Sequence, residues 1–207
     1  MTRRDLHRAS AYVIVAFAAV HIANHLVSLM GVPAHIAFME TARTVYRYWA
    51  IESALLFCVA FQVASGLWSV ISGWRQRTGL MPWLQAASGA YLAFFLIIHV
   101  GAVLFGRAVL QLDTNFYFAA AGFHVPPYQL FFAPYYFLAV VALFTHLACA
   151  MYWQLPSASG STRALMVGST IVAGSVMALL IVLSLAGKIQ PVEVPGKYKA
   201  TYANPEG

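Results

Sequence analysis

Charge is what this chain has least of. Only 9% of its 207 residues are Asp, Glu, Lys or Arg, where a soluble domain carries roughly 25%. Acids are the scarcer sign, six against twelve basic residues, for a formal net charge of +6. So little charge excludes a soluble enzyme and a disordered chain, and the basic balance, which on a soluble chain would point to nucleic acid, reads here as a topology signal. Cysteine is nearly absent too. Cys58 and Cys149 both lie inside apolar runs, which excludes a secreted disulfide scaffold and any zinc-ligand spacing. No CxxCH occurs, so covalent haem attachment is excluded. Both cysteines read as small buried hydrophobes.

Hydrophobic residues are abundant instead, at 61% with a mean hydropathy of +0.74. Five apolar stretches reach the roughly 20 residues that a helix rising 1.5 Å per residue needs to cross a bilayer. The sequence predicts an all-α integral membrane protein with helices I to V near 9–30, 49–74, 81–106, 128–153 and 163–187, and an extended tail over 188–207. The connections are punctuated by Gly31-Val32-Pro33, Gly79 to Pro82, Pro126-Pro127 and Pro156. The first run is too long for a signal-peptide core and reads as a permanent helix. Short-loop cations set the orientation. Arg3, Arg4, Arg8, Arg75, Arg77 and Arg163 fall on the N-terminal side, while the opposite loops hold Arg43, Arg47 and Arg107. The N-terminus is expected inside and the C-terminus outside.

An internal repeat organises the histidines. An offset of 78 residues pairs Leu6 with Leu84, Ala9 with Ala87, Ser10 with Ser88, Phe17 with Phe95, His21 with His99 and Leu26 with Leu104. A weaker match at an offset of 84 joins Phe61-Gln62 in helix II to Thr145-His146 in helix IV. Together they predict a duplicated helix pair, I–II and III–IV, forming a four-helix core with helix V added. Both copies enter the membrane in the same direction, so equivalent residues share a depth and can face one another. His21 is expected to oppose His99, and Gln62 to oppose His146.

A polar side chain in lipid is costly and faces the bundle interior. His21 and His99 therefore read either as hydrogen-bonded structural residues or as the two axial ligands of a haem iron. Zinc or copper wants three or four ligands, and only His25, one turn from His21, offers itself as a third. His25 is expected at the outer surface or beside a propionate. Ser10, Ser88 and Asn24 are candidates to bond backbone or cofactor edges. Glu52, the one acid inside a span, reads as a proton acceptor near an outer quinol site or as an interfacial residue that reaches water. Trp49, Trp74, Trp83 and Trp153 read as interfacial belts, Gly168 and Gly174 as close-packing positions in helix V, and His7, His35 and His124 as interface or loop residues.

Leu84-Gln85-Ala86-Ala87-Ser88-Gly89 followed by His99-Val100 resembles the "LQRxSG…HV" motif of the five-helix cytochrome b membrane anchor of succinate dehydrogenases and fumarate reductases. Leu6-His7-Arg8-Ala9-Ser10 with His21 resembles the "LHxxxG" opening of that family's first helix. Thr145-His146-Leu147-Ala148 resembles its "HLxxGLW" segment. The resemblance covers helices I to IV. It implies a four-helix core holding two b haems stacked across the membrane, a flavoprotein and an iron–sulfur subunit on the inner face, and quinone as the lipid-side substrate. The setting would be a bacterial cytoplasmic or mitochondrial inner membrane. By position, His21 and His99 would ligate the outer haem and His146 an inner one. The family's helix-II histidine falls on Gln62, a poor iron ligand, so one haem is expected and a second rests on His146. The chain alone would not be a complete enzyme. The rival expectation is a non-catalytic structural or assembly subunit that kept the fold and lost one or both haems.

Overall fold

The computed structural model describes residues 2–202. Eight α-helices follow in order: α1 Arg3–Val27, α2 Val32–Tyr46, α3 Trp49–Ser72, α4 Leu80–Ala108, α5 Phe116–Ala120, α6 Gln129–Gln154, α7 Gly160–Leu185 and α8 Gly196–Lys199. Among the described residues there is no strand. Five of the helices (α1, α3, α4, α6 and α7) are long and apolar enough to cross a membrane, as an integral membrane protein requires. These are helices I to V of the sequence. Only the edges moved: α1 begins at Arg3, where Thr2 and Asp5 form a reciprocal cap on the first turn.

Local chemistry sets the boundaries. Ser159 caps α7 by accepting from the Thr162 N–H at 3.1 Å. Gly79, at φ 82°, supplies the left-handed turn that launches α4. The long helices form a sequential ring in which α1 packs on α3, α3 on α4, α4 on α6 and α6 on α7. The α6–α7 seam is tight because Gly174 presses on Phe144, where a Cβ would collide with the ring. Gly168 was expected to serve the same packing, yet it faces open space. The helix α7 returns to α1 at one end only, where the Ser28 and Ser184 hydroxyls meet at 2.6 Å. The helices α1 and α4 make no extended contact and face each other across the bundle.

The two ends differ. The end opposite the N-terminus is capped by α2, α5 and the C-terminal segment; the N-terminal end is open. The buried apolar cluster sits under the cap, formed by Phe116, Ala120, Ala121, Phe123, Ile181, Leu185, Val194 and Tyr198. Two expectations need correcting here. The stretch from 32 to 46 is a helix, not a loop, and it buries His35, Met39 and Arg43 at intervals of four. The tail is not simply extended: Val194 and Tyr198 are 3% and 2% exposed, and residues 196–199 are helical. Residues 203–207 lie outside the described residues. Cys149 is buried and Cys58 half-buried, both as free thiols. The four belt tryptophans, Trp49, Trp74, Trp83 and Trp153, are exposed at or near helix ends.

Candidate functional site: a histidine cavity beneath the cap

His21 lies nine residues before Met30, and His99 nine residues before Ala108. At 1.5 Å per residue both sit about 13 Å below the capped ends of their helices. Their rings meet across the space between α1 and α4, with centroids 6.0 Å apart and planes at 66°. Each ring is stacked by a phenylalanine one turn earlier. Phe17 covers His21 at 5.6 Å and 15°, and Phe95 covers His99 at 4.9 Å and 15°. These phenylalanines are the pair that the 78-residue offset aligns.

Two further imidazoles adjoin. His25 meets His21 edge-on at 4.8 Å, and His35 lies 5.3 Å from His25. All four rings line one cavity of about 180 Å³, walled by Phe131, Phe132, Tyr135 and Tyr136 of α6. Val103, the repeat counterpart of His25, lines it too. His25 is therefore inside the bundle and not at the outer surface. His35 was read as a loop residue, but it is 2% exposed. Its signal was the i, i+4, i+8 stripe of α2, masked by a polar and a charged member.

Hydrogen bonds fix the His35 tautomer. Its Nδ1 lies 2.8 Å from the Asn24 carbonyl, which can only accept, so Nδ1 donates. Its Nε2 then accepts from the Asn24 side-chain amide at 3.4 Å. Burial holds His35 below the ordinary histidine value, and nearby Arg43 adds to the effect against the pull of the Asn24 carbonyl. Asn24 Oδ1 and His25 Nδ1 are buried without a hydrogen-bond partner among the described residues, an expensive state for a polar atom. Neither His21 nor His99 has a hydrogen bond to any described residue.

The donor set can be tested against a metal centre. With about 2.0–2.1 Å from metal to nitrogen and roughly another ångström from nitrogen to ring centre, two trans imidazoles stand about 6 Å apart. The 6.0 Å separation fits. Among the described residues no group of three or more His, Cys, Asp or Glu is placed to hold a metal ion. Two imidazoles alone are too few for a zinc or copper ion held by protein side chains, so the pair suits only a group that brings most of its own ligands.

Ion pairs clamp the cap above the cavity. Arg43 reaches Asp113 at 2.8 Å and Glu40 at 2.9 Å, and Arg47 donates to the Thr114 hydroxyl at 3.1 Å. Burial opposes the Arg43 charge, but the Asp113 carboxylate more than offsets it and leaves Arg43 above its ordinary value. Glu52 is not a solitary carboxylate. It pairs with Arg107 of α4, and both side chains are about one-third exposed or less, at 27% and 32%.

The remaining sequence candidates gather at the open end, far from the cavity. Gln62 and His146 do not hydrogen-bond to each other; each bonds to a neighbouring helix. The Gln62 amide donates to the His7 carbonyl and, at 2.9 Å, to the Ser10 hydroxyl. His146 Nδ1 lies 3.2 Å from both the Gln85 carbonyl and the Ser88 hydroxyl. Both N–H groups of the Gln62 amide are taken up by α1. Ser10 and Ser88 thus tie neighbouring helices together, eleven residues from His21 and His99 respectively. No protein-family model matches this chain, and no curated protein or solved structure matches it.

Proposed function

We propose that this chain is a b-type haem-binding membrane subunit that passes electrons between a partner oxidoreductase and the quinone pool, in the manner of the succinate dehydrogenase and fumarate reductase anchors. The observation that carries the reading is the His21–His99 pair, 6.0 Å apart across a cavity between two helices that do not otherwise pack. Repeat-related residues support it. Phe17 and Phe95 stack alike on their histidines. Gln62 and His146 bond alike to a backbone carbonyl and to the serine three residues on. This correspondence is what a duplicated helix pair would produce.

A bound haem b would supply the one-electron chemistry. The protein would supply axial nitrogens, depth, and an apolar wall that excludes water. In this reading the open end faces the cytoplasm or matrix. Its exposed Arg3, Arg4, Arg8 and Arg75 would receive the flavoprotein and iron–sulfur subunits. Quinone would be served at the capped end, with the Glu52–Arg107 pair at its rim.

Protein purified in mild detergent from haem-replete cells, reduced with dithionite, should show low-spin b-type bands and bring down partner subunits. A colourless preparation would overturn the haem reading. It would favour the second reading, a structural or assembly subunit, for which the engagement of Gln62 and His146 in helix–helix bonds already speaks.

A further inference from the structure

The wall of the histidine cavity is built mostly from packed helices. His21 and His25 come from α1, His35 from α2, His99 from α4 and the rings of Phe131, Phe132, Tyr135 and Tyr136 from α6. Each of those helices packs on a neighbour. Thr114 comes from a loop, but Arg47 holds its hydroxyl at 3.1 Å. One ring is different. Tyr202 also lines the cavity, and it comes from the C-terminal segment that follows α7.

That segment is a strap, Lys188 to Tyr202, laid across the capped end. Its start is independent of α7. Gly187, at φ 67°, ends the helix. The N–H groups of Ala186, Gly187 and Lys188 satisfy the carbonyls of Val182, Ser184 and Leu183. The strap can therefore leave without unwinding the span. Beyond Lys188, no backbone group of the strap bonds to another part of the described chain; the Tyr198 N–H, for example, donates to the Pro195 carbonyl at 3.0 Å. A side chain makes its one polar anchor: Gln190 donates to the Leu29 carbonyl at 2.7 Å. Val194 and Tyr198 sink into the apolar cluster under the cap. The Tyr202 ring meets Phe132 edge-on at 5.6 Å and lies 5.0 Å from Tyr128, both at the start of α6.

A segment that shares no backbone hydrogen bonds with its surroundings separates from them as a unit, at a cost set by its side-chain contacts. Behind Tyr202 the cavity holds polar atoms that a visitor would satisfy. Asn24 Oδ1 and His25 Nδ1 are buried without a hydrogen-bond partner among the described residues. The flank of the bundle, where Leu130 and Leu138 are exposed, offers no comparable door. There the wall is Phe131 and Tyr135, stacked at 5.1 Å and 19°, with the Tyr135 hydroxyl donating to the Phe95 carbonyl at 3.3 Å. Both rings belong to a long helix packed on two others, so that wall does not move alone.

We infer that residues 188–202 form a lid over the histidine cavity, with Tyr202 as its plug, and that release of the lid admits water and small polar ligands from the capped end. The inference does not depend on what the cavity holds. His25 and His35 are not iron ligands in the haem reading, so they report on access with or without haem.

The test is the rate at which diethyl pyrocarbonate modifies each histidine of the full-length protein in detergent, read residue by residue by mass spectrometry. In the parent chain His25 and His35 should react more slowly than His7 at the open end. Tyr202→Ala should raise both slow rates about tenfold, because a packed ring is lost from the wall. The His7 rate should stay the same and report an intact bundle. Tyr202→Phe should keep the protection, since the ring fills the wall. Gln190→Ala leaves the plug in place and removes the anchor; the loss of one hydrogen bond should raise the His25 and His35 rates about fivefold. Lys199→Ala, on the exposed side of the strap, should change nothing. His25 and His35 reacting as fast as His7 in the parent chain would overturn the lid. So would protection that survives Tyr202→Ala. A rise in Tyr202→Ala with none in Gln190→Ala makes Tyr202 a fixed wall and overturns the lid as well. If Tyr202→Ala also accelerates His7, the bundle has loosened, and Gln190→Ala decides.

Discussion

The two ends of this bundle solve opposite problems with the same five helices. Under the cap, space between α1 and α4 is kept open by rings stacked edge to face and is roofed by an amphipathic helix, an apolar cluster and buried ion pairs. At the open end, helices are tied pairwise through serine, glutamine and histidine, and nothing roofs them. At the capped end Arg43 is tied into closure; at the open end Arg4, Arg8 and Arg75 are exposed and in no ion pair among the described residues. The contrast teaches that one bundle can close over a cavity at one end and stay open at the other.

The largest effect that would break the comparison is at the cavity. Under the proposed haem reading, His21→Ala or His99→Ala should each abolish the low-spin b-type spectrum. Visible spectra of each variant against Ser10→Ala, which touches only the open end, separate the two ends. Next in size is Arg43→Ala. It strands Asp113 and opens the cap at a cost of about 2 kcal/mol, below the roughly 3–5 kcal/mol of a fully buried pair because Asp113 is 40% exposed. Thermal unfolding in detergent measures it, and Arg3→Ala at the open end should cost far less.

Crowding should separate the seams. Gly174→Leu forces a side chain into Phe144 and should destabilise by about 1–3 kcal/mol. Gly168→Leu, which meets open space, should be nearly neutral by the same melt. The cap should also respond to acid. The folded protein holds His35 neutral, with its value lowered below 6.5. As pH falls through about 6.5 the unfolded chain binds a proton that the folded one refuses, so stability falls, at up to about 1.4 kcal/mol per pH unit. Above that pH the contribution vanishes. Cap-specific hydrogen exchange between pH 7.5 and 5 should show α2 opening first, and His35→Gln should flatten the response. The smallest effect is at the open end, where Thr2→Ala removes a capping box and should cost about 1 kcal/mol.

Much of this was legible in the residues. The five long helices follow from apolar runs with almost no charge, since a chain of this composition has few other ways to satisfy its backbone in lipid. The pairing of His21 with His99 came from a repeat, because equal positions in parallel copies reach equal depth. The helix α2 was hidden because its buried stripe of His35, Met39 and Arg43 is not apolar, and hydrophobic periodicity carries the usual signal. The docked tail was hidden behind Pro191, Pro195 and Gly196, which punctuate it without saying that Val194 and Tyr198 find a core.

By itself, the sequence determined the number of spans, their order and the shared depth of one histidine pair, because length, polarity and helical rise are properties of single segments. The tertiary structure decided what those segments touch. It gave Gln62 to the His7 carbonyl and Ser10 instead of to His146, turned His25 inward, and paired Glu52 with Arg107. Such choices depend on which helix faces are neighbours. A buried hydrogen-bonding group takes whichever partner the packing brings within about 3 Å, and no single segment encodes that distance.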